Sequence, residues 1–468
     1  MISSLCACQG YLELVLQLGA AFQSRGRFAA EDGTAMEETR IFSLHPEGDR
    51  MVVVSYRYPA GDEAATRLRV EDHLYELLGA LEPLAAPAAG DPAAGDPAAG
   101  DPAAGDPARF VRPALRALGA YHLELAPCPH KLDQNEVPFD LPRFLKRRIA
   151  ERWLARDWAR YPDFHADAVR AALGALHDWP TAGVLVGNGS NELLGLMFEA
   201  ILEADGAVTG LEPSFGLYRM FVLRAGGTPD FLSPTDDLGL PIDRLLAAAE
   251  AHPDRPMLLC TPNNPTGAAA TPAEVDALLQ RLEAPLLLDN AYGEFCRHDY
   301  RPLLRRHRHL VIFRTFSKAW SLAAQRLGYL LADPSLVTEL IKIKLPYNVD
   351  AASAIAAEEA VRAHASSERR VRALVGRRPQ WAAMLRAFGF TVFPSEANFL
   401  LVRHPDGDDA ARALHADLEA RGVRWRSVGH YPGLAGCLRV SVGSGRDLRG
   451  VRAALTALMG EPIAETTA

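Results

Sequence analysis

Short apolar runs alternate with helical stretches between residues 184 and 331, and this alternation restricts the folds open to the chain. The runs lack a polar face, as in strands covered by helices on both sides of a sheet. Helical stretches at Asn191–Glu203 and Pro272–Leu282 lie between them. We therefore predict an α/β fold with a mostly parallel sheet flanked by helices. The predicted strands are Val184–Val186, Ala207–Gly210, Pro256–Cys260, Pro285–Leu288, Leu310–Phe313 and Leu327–Leu331.

The pattern changes after about residue 350. A long helical stretch leads to a predicted strand at Asn398–Val402, and a helix then ends near Arg421. Two more strands are predicted at Val423–Arg426 and Leu438–Val442, before a terminal helix. We interpret this part as a smaller α+β domain.

A low-complexity segment separates the N-terminal region from this body. Four copies of Pro-Ala-Ala-Gly-Asp run from Pro87 to Asp106, and such a sequence favours an extended, mobile linker. The region before it contains a predicted strand at Met51–Tyr56 and a helical stretch at Val70–Leu81. It carries more acids than bases, which argues against a DNA-binding head. It could be a small α+β domain, a weakly folded extension, or sequence upstream of the true start codon.

Bulk properties narrow the function classes. The formal net charge is −8, and 49% of the residues are apolar, as in an ordinary soluble globular protein without a nucleic-acid footprint. The six cysteines form no CxxC pair and no Cys/His ligand spacing, so we expect neither a metal site nor a disulfide framework. No signal peptide or membrane-spanning stretch is apparent. We expect a cytoplasmic protein that binds neither membrane nor nucleic acid.

Lys318 is the most informative candidate for chemistry. It ends the segment Val311–Lys318, directly after a predicted buried strand. A lysine there is costly to desolvate unless it is neutralised, paired or used covalently. An exposed lysine at a strand end gives the same local pattern. One common covalent use is a Schiff base to pyridoxal phosphate (PLP), which also needs a carboxylate and a phosphate cradle.

Other strand ends supply candidates for those two groups. Gly187-Asn188-Gly189-Ser190 joins a strand to a helix, whose N-terminus favours an anion such as phosphate. An ordinary turn with Ser190 as helix N-cap explains the same residues. Asp289 follows four apolar residues, where a carboxylate is costly without a cation, although it could also be a cap. Each element is ambiguous, but chance assembly of all of them in this order is improbable.

With these residues in place, the chain resembles the fold-type I aminotransferases (class I/II), and in particular the histidinol-phosphate aminotransferase branch. The resemblance runs from about Arg112 to the C-terminus. It implies the first part of a small domain at 109–145, a PLP-binding large domain at 146–348 and a C-terminal small domain at 349–460. The N-terminal region of unknown function at 1–86 and the linker at 87–108, which the repeat indicates, have no counterpart in the compact family members. The matching segments are Lys131–Pro138, Arg160–Pro162, Gly187–Leu194, Thr261–Gly267, Asp289–Tyr292, Arg314–Arg326 and Leu438–Gly443.

The resemblance implies roles for residues around the cofactor. Lys318 would hold PLP as the internal aldimine and then act as general base and acid. Asp289 would pair with the pyridine nitrogen, and Asn264 and Tyr292 would bind the phenolic oxygen. The phosphate would be bound by Gly189, Ser190, Asn191, Ser317, Arg326 and, from the neighbouring subunit of a homodimer with shared active sites, Tyr161.

The resemblance also implies substrate contacts. Arg439 would bind the α-carboxylate of amino acid and 2-oxo acid substrates as a bidentate pair. Arg426 matches a second anion-binding arginine of that branch, although a solvated arginine on an edge strand is an equal alternative. Asn135 and Tyr121 fall at positions expected to contact the substrate.

Several residues depart from the family pattern. The residue expected to stack on the cofactor ring is Phe215, where tyrosine is usual. Asn290 stands where glutamate is common, and Ala324 and Gln325 replace residues near the phosphate arginine. These departures do not affect the expectation of cofactor binding, but they weaken the assignment of histidinol phosphate as substrate.

The leading hypothesis is a PLP-dependent aminotransferase acting on histidinol phosphate or an aromatic or related amino acid, with 2-oxoglutarate as acceptor. The first alternative is a PLP-dependent decarboxylase resembling threonine-phosphate decarboxylase. The second is a regulatory PLP-binding module fused to an effector head, which the acidic N-terminal region disfavours.

Overall fold

The computed structural model describes residues 107–116, 118, 119 and 127–462, and the backbone of four strands nearer the N-terminus. The chain divides into two compact units, residues 1–101 and 102–468. The helix predicted at 70–81, most of the predicted linker and Tyr121 lie outside the described residues. The finer domain boundaries proposed above stay predictions.

The N-terminal unit contains an antiparallel sheet of four strands in sequential order. These are β1 (Leu12–Leu14), β2 (Phe22–Ala29), β3 (Ala35–Leu44) and β4 (Met51–Pro59). The strand predicted at Met51–Tyr56 is confirmed as part of β4. Strands β2 and β3 were not predicted, because charged residues interrupt their apolar alternation.

The second unit is built on a seven-stranded sheet, preceded by the short strand β5 (His130–Lys131). The order across the sheet is β6-β12-β11-β10-β9-β7-β8, and only β12 runs antiparallel to its neighbours. The predicted mostly parallel α/β fold is therefore confirmed. The strands are β6 (Val184–Gly187), β7 (Ala207–Leu211), β8 (Thr228–Leu232), β9 (Met257–Cys260), β10 (Leu286–Asp289), β11 (Leu310–Thr315) and β12 (Gly328–Leu331).

Alternate residues of the sheet's central strands enter two separate apolar cores, one on each face. In β10, Leu286 and Leu288 belong to one core and Leu287 to the other, and all three are fully buried. Each buried leucine contributes about 1.5–3 kcal/mol relative to an exposed one. Edge strand β8 was not predicted, because its sequence Thr-Pro-Asp-Phe-Leu lacks an apolar run. In the structure none of its residues is fully buried.

Helices cover both faces of this sheet. The predicted helix at Asn191–Glu203 is observed at Ser190–Ile201, and that at Pro272–Leu282 at Pro272–Leu279, where Thr271 and Glu274 form a capping box. None of the described helices is long and apolar enough to cross a bilayer. The remaining α-helices are Pro113–Arg116, Arg143–Leu154, Asp167–His177, Tyr218–Arg224, Ile242–Ala251, Arg301–Leu304, Pro334–Ile343, Ala351–Arg362, His364–Val375, Arg378–Ala387, Gly407–Ala420 and Gly445–Met459.

A smaller antiparallel sheet follows in the C-terminal part. It has the order β13-β14-β17-β16, with β13 (Thr391–Val392), β14 (Phe399–Arg403), β16 (Arg426–Ser427) and β17 (Cys437–Ser441). Strand β15 (Val423–Arg424) instead pairs in parallel with β5.

The prediction of a single strand at Val423–Arg426 is therefore wrong, because two strands are observed there. Trp425, with only 1% of its surface exposed, separates two short strands that pair with different partners. The break has a consequence for the site, since Arg426 in β16 now lies directly opposite Arg439 in β17.

We expect a variant lacking residues 1–106 to remain folded. The deletion stops before Arg112, which donates a hydrogen bond to the Arg224 carbonyl oxygen at 2.5 Å within the second unit. A Pro-Ala-Ala-Gly-Asp repeat cannot transmit tight packing. Circular dichroism and a cooperative thermal transition of the truncated protein, compared with the full chain, measure this. Loss of the cooperative transition would show that the N-terminal region stabilises the body.

Candidate active site

The residues singled out from the sequence converge at one edge of the large sheet. Strands β6, β7, β9, β10 and β11 are parallel, so their carboxyl ends share this edge, and antiparallel β12 begins there. A cavity of about 420 Å³ opens at this edge. Its lining includes Asn135, Gly189, Ser190, Asn191, Phe215, Asn264, Asp289, Tyr292, Ser317, Lys318, Arg326, Arg426 and Arg439.

An anion cradle forms where β6 passes into the helix Ser190–Ile201. Gly189 precedes this helix with φ of 80°, a backbone conformation that favours glycine. A Cβ atom at Gly189 would lie 3.1 Å from Nη2 of Arg326, which shows how closely that guanidinium approaches. Arg326 also donates a hydrogen bond to Oγ of Ser317 at 3.3 Å. Helix N–H groups and a guanidinium thus face one space suited to a phosphate.

The alternative that Ser190 caps this helix is wrong. Gly189 occupies the N-cap position, no side chain caps the helix, and Ser190 is its first residue. The first-turn N–H groups therefore remain for other acceptors.

Lys318 lies on the wall of the cavity beside this cradle. Its Nζ donates a hydrogen bond to the carbonyl oxygen of Gln134 at 2.7 Å. Burial, together with the positive charge of Arg439, lowers its pKa from 10.5 to about 8. At neutral pH, the neutral and therefore nucleophilic form makes up a larger fraction of the Lys318 amine than of the amine of an exposed lysine.

Asp289 ends β10 on the cavity floor, with 4% of its surface exposed. The hydroxyl of Tyr218 donates to its Oδ2 at 2.6 Å, and the backbone N–H of Ala291 donates to its Oδ1 at 3.1 Å. Burial raises the pKa of Asp289, and these two hydrogen bonds oppose that shift. The carboxylate is thus held in place where a cationic partner would stabilise it.

Tyr218 was missed in the sequence analysis. It is fully buried, and burial and the nearby Asp289 raise its pKa, so its hydroxyl keeps the proton that it donates. The available signal was its position three residues after Phe215, at the start of the helix Tyr218–Arg224. Its partner is 71 residues away in sequence, and local pattern does not reveal such a pair.

Tyr292 is held by Asn135. The Asn135 side-chain amide donates to the Tyr292 hydroxyl oxygen at 2.9 Å, and the Asn135 backbone N–H donates to Oγ of Ser441 at 3.0 Å. Because Nδ2 can only donate, the tyrosine oxygen accepts there, and its own proton is directed elsewhere. Asn135 lines the cavity and its side-chain amide binds Tyr292, while the predicted contact with substrate stays a prediction.

Arg439 projects from β17 and is 8% exposed. Its Nη1 donates to Oδ1 of Asn264 at 2.5 Å, its Nη2 donates to the carbonyl oxygen of Asp133, and its guanidinium lies 5.4 Å from the Phe399 ring centre. Directly opposed residues of antiparallel strands project from the same face. Arg439 and the half-buried Arg426 therefore present two cations at one end of the cavity.

Tyr161 lies away from this cavity. Its side chain is 77% exposed, and its ring stacks on Tyr347 with centroids 4.5 Å apart. Phe164 packs edge-on against the same Tyr347 ring. The structure therefore places Tyr161 in an exposed aromatic cluster outside the site of its own chain.

The residues that depart from the family pattern are accommodated. Asn290 is 2% exposed, donates to the Thr261 carbonyl oxygen at 2.6 Å and accepts from Arg314, so both ends of its amide are hydrogen-bonded. Phe215 packs edge-on against Tyr218, with ring centroids 5.5 Å apart, and lines the cavity. Ala324 lines it too. Within the described residues, no cluster of three His, Cys, Asp or Glu side chains is placed to hold a metal ion.

Comparison with known proteins identifies the family. The family model for aminotransferases of class I and II matches residues 130–458. The histidinol-phosphate aminotransferase of Deinococcus radiodurans is 36% identical over 353 residues, covering 74% of this chain and 96% of that protein. The corresponding protein of Chromobacterium violaceum is 36% identical over 339 residues, covering 72% and 94%. The chain belongs to the class I and II aminotransferases.

Solved structures agree on the fold. A histidinol-phosphate aminotransferase from Sinorhizobium meliloti, in complex with pyridoxal-5'-phosphate, superposes with a TM-score of 0.67 at 23% identity, over 75% of this chain and 97% of that one. The L-threonine-O-3-phosphate decarboxylase of Porphyromonas gingivalis gives 0.61 at 21% identity, over 70% and 99%. The protein is thus a PLP-dependent aminotransferase of fold type I, similar to the histidinol-phosphate aminotransferase branch.

The described residues fit PLP. The cradle formed by Gly189 and Arg326 suits its phosphate. Glycine leaves room for the guanidinium there, since a Cβ atom at position 189 would lie 3.1 Å from Nη2 of Arg326. The buried Asp289 carboxylate, fixed by Tyr218, suits its protonated ring nitrogen, and Lys318 supplies an amine of lowered pKa. One cavity contains all three groups.

We expect attachment of PLP to the cofactor-free protein to accelerate as pH rises, with a midpoint near pH 8. Attachment needs the neutral amine, and the lowered pKa of Lys318 sets that fraction. In Arg439→Ala the neighbouring positive charge is lost, so the pKa of Lys318 should rise and the midpoint should move to higher pH. Stopped-flow absorbance after adding PLP measures both midpoints. A wild-type midpoint near 10.5 would contradict the expectation.

Proposed function

We propose that the protein transfers an amino group between histidinol phosphate, or a related aromatic amino donor, and 2-oxoglutarate. The observation that carries this proposal is the opposed pair Arg426 and Arg439 at one end of the PLP-binding cavity. Two cations side by side suit substrates whose anionic groups differ. The similarity to curated histidinol-phosphate aminotransferases supports the same assignment.

Different cavity residues have different roles in transamination. PLP, when bound, supplies an electron sink that stabilises the carbanion left after Cα–H cleavage. Nζ of Lys318 accepts the proton from the substrate Cα and delivers it two atoms further along, which is a 1,3-proton transfer. At pH 7 about one-tenth of an amine with a pKa near 8 is neutral, far more than of an ordinary lysine.

Asp289 and its partners keep the ring nitrogen protonated. Its carboxylate is buried, so its attraction to a cation is screened less than it would be in water. Tyr218 and the Ala291 N–H fix both oxygens and prevent the carboxylate from turning away. Tyr292, whose oxygen accepts from Asn135, directs its own proton toward the cavity as a donor to the phenolic oxygen.

The two arginines distinguish the substrates of the two half-reactions. Arg439 binds the α-carboxylate of glutamate and 2-oxoglutarate as a bidentate pair. Histidinol phosphate has no α-carboxylate and presents a phosphate instead, which the two opposed guanidinium groups can share. One cavity therefore accepts both substrates in turn.

We propose further that the active enzyme is a homodimer in which Tyr161 serves the neighbouring subunit. The supporting observation is that Tyr161 is 77% exposed and lies outside its own cavity. Large exposed apolar side chains occur in the segments 144–164 and 343–347, which meet where Tyr161 and Phe164 pack on Tyr347, and exposed apolar surface marks interaction sites. They are Phe144, Leu154, Trp158, Phe164, Ile343, Leu345 and Tyr347.

A donor screen tests the proposed function. We expect wild-type protein to transaminate 2-oxoglutarate with histidinol phosphate. With glutamate, which gives no net reaction with 2-oxoglutarate, we expect it to exchange isotope label between the two compounds. A charge-assisted contact is worth about 1.5–3 kcal/mol, so Arg439→Ala should reduce kcat/KM for glutamate by roughly ten- to a hundredfold. Arg426→Ala should act mainly on histidinol phosphate, with a smaller effect on phenylalanine.

The outcomes of this screen separate the alternatives. Release of CO₂ from a phosphorylated amino acid would identify a decarboxylase, and spectral change without turnover would identify a binding module. If Arg426→Ala leaves kcat/KM unchanged for histidinol phosphate, glutamate and phenylalanine, Arg426 is a solvated strand residue and the phosphorylated substrate loses its support.

Mixed dimers test the shared site. Lys318→Ala and Tyr161→Ala chains should each form weakly active homodimers. A dimer of one chain of each kind should regain one intact site, because Lys318 of the second chain then meets Tyr161 of the first. We expect about half of wild-type activity in purified, differently tagged mixed dimers. If Tyr161 acts within its own chain, the mixed dimer will show no recovery.

A further inference from the structure

The loop between β16 and β17 carries a cavity residue that the motifs did not indicate. Residues 428–436 form this loop, and Tyr431 in it lines the cavity together with Arg426 and Val428. The loop thus adds an aromatic ring to the end of the cavity that bears the two arginines.

Packing fixes the position of this loop. Val428 and Leu434 are buried, at 1% and 0% exposure, in a small apolar cluster that includes Leu238 and Leu401. Two backbone hydrogen bonds bracket the aromatic residue, from Tyr431 N–H to the Val428 oxygen and from Leu434 N–H to the Tyr431 oxygen, both 3.1 Å long. These packing contacts and hydrogen bonds therefore fix the position of Tyr431.

Tyr431 closes over the turn that follows β7. A Cβ atom at Gly216 would lie 2.7 Å from the Tyr431 hydroxyl oxygen, closer than real Cβ contacts occur. Gly216 directly follows Phe215, so the hydroxyl reaches the large sheet beside the predicted ring-stacking residue. A side chain at position 216 would therefore require the Tyr431 hydroxyl to shift from its observed position.

The charge near this ring comes from Arg426. The His430 ring lies 4.2 Å from the Tyr431 ring, and burial together with Arg426 lowers the pKa of His430. His430 is therefore neutral at pH 7, and the guanidinium is the cation beside the two rings. An aromatic wall beside a cation suits a ligand that combines a flat ring with an anionic group.

We propose that Tyr431 is a specificity-determining residue that receives the ring of an amino donor whose anionic group binds Arg426. This inference rests on the proposed function and adds to it the selection of ring-bearing donors. The alternative is that Tyr431 only fills the space above Gly216. A space-filling residue would affect cofactor affinity and stability but would not discriminate between donors.

The test uses full-length protein loaded with PLP and four variants. Tyr431→Ala removes the ring, Tyr431→Phe removes the hydroxyl, and Gly216→Ala adds a methyl group where that hydroxyl lies. The double variant Gly216→Ala/Tyr431→Phe combines the added methyl with the missing hydroxyl. Pro432→Ala, at an exposed position of the same loop outside the cavity lining, is the matched control. Histidinol phosphate and phenylalanine are tested as donors to 2-oxoglutarate. Glutamate turnover is measured as exchange of isotope label between glutamate and 2-oxoglutarate, because that pair gives no net reaction.

We expect Tyr431→Ala to lower kcat/KM for histidinol phosphate at least tenfold relative to glutamate, mainly through KM. Gly216→Ala should cause the same selective loss, and adding Tyr431→Phe should recover most of it, because the methyl then has room. Glutamate turnover and PLP affinity should stay within twofold of the control in these variants. The thermal midpoint of Tyr431→Phe, which keeps the ring, should stay within 2 °C of the control, roughly the scale of unperturbed surface substitutions.

Equal losses for all donors in Tyr431→Ala, or no recovery in the double variant, would overturn the proposal and leave the aminotransferase function intact. The same holds if wild-type protein with active glutamate turnover shows no preference for ring-bearing donors. Absence of glutamate turnover in wild-type protein would instead contradict the proposed function itself.

Discussion

Desolvation of Asp289 organises the site. Three fully buried leucines carry its carboxylate to the cavity floor, where only a small part of it meets solvent. Two hydrogen bonds, from Tyr218 and Ala291, compensate part of the lost hydration but leave the negative charge in place. A buried carboxylate of this kind is stabilised by a cation that arrives with the ligand. The protonated ring nitrogen of PLP meets this requirement, so the burial of Asp289 favours the binding of this cofactor.

Four cationic side chains also line the cavity, namely Lys318, Arg326, Arg426 and Arg439, together with the acids Asp133 and Glu136. The positive charge of Arg439 helps to lower the pKa of Lys318 and thereby favours its neutral form. In the proposed function the same guanidinium serves two purposes, since it binds an anionic substrate and favours the neutral form of the Lys318 amine.

The sequence predicted those features that depend on neighbouring residues. The apolar strands, the strand-end Lys318 and Asp289, and the glycine-rich turn are local patterns, and the structure brings them to one edge. Contacts between distant segments were not predicted. Tyr218 reaches Asp289 across 71 residues, and Asn135 reaches Tyr292 across 157. The break at Trp425 was also missed, because the change of strand partner depends on β5, nearly 300 residues earlier. Local apolar pattern predicts a strand but does not identify its partner.

The residues proposed to bind the cofactor and those proposed to bind the substrate come from different sheets. Lys318, Asp289 and Arg326 come from the carboxyl edge of the large sheet, whose strands are fixed by two apolar cores. Arg426, Tyr431 and Arg439 come from the small sheet and its loop. A substitution in the loop at 428–436 can therefore alter the shape of the donor side while the Asp289 and phosphate contacts stay in place. Gly216 is the exception, since it belongs to the large sheet's edge and yet contacts Tyr431. Donor preference should consequently depend on residues 216 and 431 as a pair, because a side chain at 216 and the Tyr431 hydroxyl would occupy the same space.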